Sequence, residues 1–166
     1  MLTQAKPGAE SEAVVNVDTI ELDATMRLLC LVAIRDETAR AWLLEEPWSE
    51  VLADEPNADL LKKILAADLN VNNPASVQTF LTSLDVAEEA AVSGLLEEKP
   101  PANPLAIAND AWRELECRRL RRRIDSRQAR LRTPGLDLDE VLKLQKEVLD
   151  LKTHLSNISR PLSPPL

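Results

Sequence analysis

Apolar positions recur at helical spacing along most of the chain, and capping residues divide them into short segments. Met26-Arg27-Leu28-Leu29-Cys30-Leu31-Val32-Ala33-Ile34 is apolar nearly all round, which predicts a helix enclosed on several sides at the centre of a bundle. Asp23 is placed to cap it. Asp36 opens a second helix with Ala39, Trp42 and Leu43 inward; Pro47 ends it and starts a short third helix through Trp48, Val51 and Leu52. Asn57 is read as the cap of a stripe of Leu60, Leu61, Ile64 and Leu65. Asn73-Pro74 pairs a cap with proline at the first helical position, ahead of Val77, Phe80, Leu81 and Leu84. Asp85 with Glu88 makes a capping box opening Val86 to Leu96, with a small-residue face of Ala87, Ala90 and Ala91.

Lys99-Pro100-Pro101-Ala102-Asn103-Pro104 is the clearest boundary, and no Pro or Gly then intervenes from Leu105 to Arg132, so a long helix is expected. Thr133-Pro134-Gly135 breaks it, and Asp137 with Glu140 forms another capping box for a helix running to Ser159. Val141, Leu144, Val148, Leu151, Leu155 and Ile158 alternate steps of three and four, a heptad seam. Trp112, Leu115, Cys117, Leu120, Ile124 and Leu131 offer the facing row, and the short turn predicts an antiparallel hairpin. At about 1.5 Å per residue the first helix spans about 43 Å and the second about 31 Å, so the first overhangs at its N-terminal end. That overhang, Leu105 to Ala111, is expected to dock on the bundle. The expected organisation is all-α: a flexible leader over 1–20, a helical bundle over 21–99, a helical hairpin over 104–159 and a disordered tail over 160–166.

Composition agrees with helix. Aromatic residues are 2% of the 166, and β-branched residues are sparse beside Leu, Ala, Glu and Arg. Three glycines cannot build a phosphate-binding loop. The two cysteines and one histidine, His154, lie far apart in sequence, short of the four ligands a structural zinc requires. Cys30 is read as a buried small hydrophobe. Trp42 and Trp112 are expected in the core and Trp48 nearer the surface. Carboxylates are spread over caps and solvent faces, with no acid–base couple, and no nucleophile is spaced to work with His154. No catalytic residue, cofactor or metal is expected. No apolar run is long enough to cross a bilayer, residues 1–18 lack a signal-peptide core, and a cytoplasmic location is expected.

The net charge of −8 repels nucleic acid and anionic membranes unless a local basic patch offsets it. Such a patch exists: Arg118-Arg119-Leu120-Arg121-Arg122-Arg123, with Arg113, Arg127, Arg130 and Arg132 around it. It has no interleaved aromatic for base stacking, which argues against direct nucleic-acid binding. Asp139, Glu140, Glu147 and Asp150 on the facing helix can pair with it. The patch is read as a partly ion-paired solvent face, with a contact surface for an acidic protein as the alternative. A second feature is apolar: Leu142 and Leu149 point some 130° away from the hairpin seam, with Leu138 on the flank between. They serve either an intermolecular contact or packing against the chain's own bundle. Leu138, Leu142, Leu149, Arg121, Arg122 and Arg123 are therefore the candidate partner-binding residues.

The order of these elements carries a resemblance: an apolar Leu-rich helix; Asn-Pro-Ala-Ser-Val-Gln-Thr-Phe-Leu from Asn73 to Leu81; an acidic Ala/Leu helix; Trp-Arg-Glu-Leu-Glu-Cys-Arg-Arg-Leu-Arg-Arg-Arg-Ile from Trp112 to Ile124; a short break; and a Glu/Lys/Leu helix from Val141 to Leu155. Over about Glu21 to Ser159 the chain resembles the C-terminal domain of bacterial replicative DNA primases. The resemblance implies a helical bundle and hairpin that dock on the N-terminal domain of the hexameric replicative DNA helicase and stimulate it. It also extends in fold to that helicase domain. The family's zinc-binding Cys/His set and acidic polymerase centre have no counterpart here. On that reading the chain is a detached domain that makes no primers, its first 19 residues matching the linker after a catalytic core. The prolines at 100–104 depart from the family's more continuous connection. Two other classes stay open: an Arg-rich hairpin binding nucleic acid through Arg118 to Arg132, and a coiled-coil oligomerisation adaptor using Leu142 and Leu149.

Overall fold

A computed structural model describes residues 19–160. The expected leader and tail lie outside the described residues, apart from Thr19, Ile20 and Arg160. Among the described residues there are eight helices and no strand, in keeping with the all-α expectation: α1 Ala24–Arg35, α2 Glu37–Glu45, α3 Trp48–Val51, α4 Asp59–Ala66, α5 Pro74–Thr82, α6 Val86–Glu97, α7 Pro104–Leu131 and α8 Leu138–Ser159.

Local chemistry sets most of the helix starts. The Asp23 carboxylate accepts from the Thr25 and Met26 amides, and the Asp36 carboxylate accepts from Ala39 at 2.7 Å. Asn73 and Asn103 cap α5 and α7, each followed by proline at the first helical position. Asp85 and Glu88 form both halves of a capping box. Two arginines then close helix ends. Arg40, buried at 6% exposure, donates to the carbonyls of Ile64 and Ala67 at 2.8 and 2.7 Å. Arg35 donates to Leu96 and Glu98. Each satisfies carbonyls that have no partner within their own helix.

Three sequence expectations change, at Asn57, Trp48 and Asp137. Asn57 does not cap α4: it takes a left-handed φ of 59°, which asparagine tolerates, and Ala58 stands at the cap position without a side-chain bond. The inward face of α6 is Val92 and Leu95 with Glu88, while Ala90 is exposed. Trp48 is partly buried against the core just as Trp42 is. Asp137 accepts from the Glu140 amide at 2.8 Å, but the Glu140 carboxylate turns to Arg130.

The core forms around α1, whose residues Leu29 to Ile34 are all buried among α2, α4, α6 and α7. Ala108, Ala111, Trp112 and Leu115 of α7 belong to the same apolar cluster. Docking therefore reaches a full turn further than Leu105 to Ala111, and Leu105 itself is exposed. The small side chains of Ala108 and Ala111 let α7 lie close along α1, and Trp112 and Leu115 fill the space beyond. The Trp112 Nε1 finds no acceptor among the described residues. The break at 100–104 interrupts the chain without dividing the core.

Beyond Leu115, α7 packs on α8. Cys117, Leu120 and Ile124 of α7 and Leu144 and Val148 of α8 are buried along the seam, with Val141, Leu151, Leu155 and Ile158 half-buried beside them. Arg130 meets Glu140, Arg127 meets Glu147, and the Cys117 Sγ lies 3.7 Å from the Ser159 Oγ. Partner numbers rise as α7 numbers fall, so the two helices run antiparallel. Gly135 turns the chain with a φ of 92°, a conformation that strains any residue with a Cβ. No helix of the described residues is long and apolar enough to cross a membrane.

Candidate functional site: the outer face of the hairpin

Once α8 has turned Leu144 and Val148 into the seam, helical geometry fixes what remains outside. At about 100° per residue, Leu138, Leu142 and Leu149 fall roughly 120–160° from Leu144. Their exposures are 72%, 55% and 65%. Isolated exposed leucines are ordinary, but three on one face over three turns form a stripe. Exposed Gln145, Lys146, Lys152 and Ser156 continue the same side of the helix toward its C-terminus.

The arginine run divides by direction. Arg118 donates to the Asp23 carboxylate at 3.1 Å and to the Thr25 hydroxyl at 2.9 Å, and also lies 3.4 Å from Glu114. Arg119 pairs with Glu50 at 2.7 Å. Arg122 pairs with Glu55, whose side chain is only 4% exposed, and Arg118 approaches the same carboxylate at 3.9 Å. These three arginines clamp the middle of α7 to the start of α1, to α3 and to the loop before α4. Arg122 is thus ion-paired and still partly exposed, held by a buried carboxylate. Arg121 and Arg123 are exposed, Arg121 with only a distant Glu114 at 3.9 Å. Their level on α7, by the hairpin register, is about that of Lys152 to His154. Leu138 and Leu142 lie at the turn end, so the structure does not gather the six candidates into one patch.

Of the four acids expected to meet the arginines across the hairpin, Glu140 and Glu147 do so. Asp23, Glu50 and Glu55 were not legible as partners, because 67 to 95 residues separate each from its arginine. Burial works to raise the Asp23 carboxyl, but the Met26 amide and the Arg118 guanidinium outweigh it and hold it below its usual range. The Arg119 hydrogen bond lowers Glu50. Glu116 is raised by burial and by the nearby Glu46 carboxylate, despite His154 and two arginines. Burial pushes the Cys30 thiol up to about 12, which keeps it protonated and poorly nucleophilic.

A cleft of about 500 Å³ lies between residues 20–22 and α6, lined by Arg27, Ala91, Gly94, Leu95 and Glu98 among others. It carries no nucleophile beside a base. Among the described residues no group of three or more His, Cys, Asp or Glu side chains is placed to hold a metal ion. No family model, no curated protein and no solved structure matches the chain.

Proposed function

We propose that the chain is a protein-docking module that acts by binding rather than by catalysis, and that the outer face of α8 is its contact surface. The observation that carries this reading is the exposure of Leu138, Leu142 and Leu149 on one side of a helix whose other side is already committed to α7. An apolar stripe held on a rigid hairpin loses little conformational freedom when it binds, which favours recognition of a folded partner. The resemblance to primase C-terminal domains supports a partner: the N-terminal domain of the replicative helicase, met in the cytoplasm during priming. Nucleic acid is the weaker alternative. Arg118, Arg119 and Arg122 are engaged by carboxylates of the bundle, and phosphate would have to displace them. Size-exclusion chromatography of the chain with the helicase N-terminal domain tests the reading. Co-elution at micromolar concentration is the expected result, and separate elution at every concentration tried removes the helicase as partner.

A further inference from the structure

The outer face of α8 has a repeat of its own. Leu138, Leu142, Gln145, Leu149, Lys152 and Ser156 are spaced four, three, four, three and four, the same alternation as the seam on the opposite side, and all six are exposed. The row is leucine at three positions and polar at Gln145, Lys152 and Ser156, so opposite α7 the helix offers a second, half-apolar face. The charges show what the second is like. Arg130 and Arg127 take up Glu140 and Glu147. Among the described residues no ion pair engages Lys146 or Lys152. Lys152 stands in the stripe and Lys146 on its edge, with Arg160 exposed just beyond the helix. Asp139 and Asp150 are the acids on that edge, Asp139 near the turn end and Asp150 one turn beyond Lys146, about 40° from it, with no ion pair formed among the described residues. The face thus grades from leucine at its N-terminal half to cations at its C-terminal half, in a chain whose net charge is −8.

We propose that this face receives a single amphipathic helix of another protein, apolar where it meets Leu138, Leu142 and Leu149, and acidic where it meets Lys146 and Lys152. This rests on the docking reading above and names the chemistry of what docks. In two of its packings a second copy of the chain sets like charges together. Packed antiparallel with Leu142 level with Leu149, two copies set Lys146 beside Lys146 and leave Leu138 level with Thr153. Packed parallel, they set every cation beside its own counterpart. An acidic helix meets neither obstacle, and the cations then also steer its approach and fix its register.

The test uses two synthetic three-heptad helices with the same leucines, one flanked by Glu and the other by Lys. Each is titrated into the isotope-labelled protein while the backbone amides are followed. The Glu-flanked peptide is expected to shift α8 amides from Leu138 to Ser156. K146E/K152E should weaken it about ten-fold at low salt and much less at high salt. Equal affinity for the two peptides, or no shift of α8 by the Glu-flanked one, overturns the proposal. So does a single-stranded oligonucleotide that shifts Lys146 and Lys152 more strongly than either peptide, which assigns the face to nucleic acid. Failure of this inference is separable from failure of the docking reading. If L142S/L149S weakens binding to the helicase domain while K146E/K152E leaves it unchanged, docking stands and the acidic helix does not. If L142S/L149S binds as the wild type does, the docking reading itself fails.

Discussion

Arg121, Arg122 and Arg123 differ chiefly in the direction in which each leaves α7, and that direction decides what each can do. Arg122 points to the bundle and meets Glu55, a carboxylate with 4% exposure. Removing Arg122 leaves that charge buried with Arg118 at 3.9 Å as its remaining cation. Because Arg122 is itself 40% exposed, the loss falls below that of a fully buried pair. Arg122→Ala is expected to cost about 2 kcal/mol, and Arg121→Ala and Arg123→Ala less than about 0.5 kcal/mol each, in urea unfolding. Equal costs for all three would deny the clamp. The sequence displays the cations but not their direction toward the bundle, because Glu55 comes from a loop 67 residues earlier. Glu116 adds a pH dependence of the opposite sign to that of Asp23. Its folded-state pKa is raised, so ionisation disfavours the fold above that pKa, and the penalty vanishes as pH falls through it toward the unfolded value. Glu116→Gln should therefore melt higher than the wild type at neutral pH, with the difference closing on acidification. A difference that widens toward low pH would contradict the assignment.

At the scale of elements, most helix starts were legible because their cause is local. Asp23, Asp36, Asn73, Asp85 and Asn103 cap the helices they precede, since a cap needs only the next three residues. The α8 seam was legible because a heptad needs only one helix. Asn57 misled because an asparagine two residues before a helix satisfies either a cap or a left-handed turn, and the turn won. The depth at which α7 enters the bundle was not legible, since it depends on space left by helices distant in sequence. The glycines of α6 and of the hairpin turn give a paired test. Gly94 lies in a helix with nothing within 4 Å of a Cβ, so Gly94→Ala should stabilise by about 0.5–1 kcal/mol. Gly135 has equal space but a φ of 92°, so Gly135→Ala should destabilise by about 1 kcal/mol. Thermal melts of the two variants shifting in the same direction would contradict the reading of the turn.

Across the whole molecule, charge separates as the elements do. Residues 19–99 carry sixteen acidic and six basic side chains, and residues 104–160 carry nine acidic and thirteen basic. The opposite signs attract across α7, where Arg118, Arg119 and Arg122 join the two parts, and the shared apolar core of α1 and α7 runs beside them. Both hold the hairpin to the bundle, and its outer leucines face away from α7. The proposed docking of this face on a partner rests on those leucines. Burying one leucine is worth about 1.5–3 kcal/mol before ordering costs. Calorimetric titration of the helicase N-terminal domain with wild type and with L142S/L149S measures their contribution. A loss of one to two orders of magnitude in affinity, on the order of 1.4 kcal/mol for each ten-fold, with the melting temperature unchanged, is the predicted result. Equal affinities for the two proteins would contradict it.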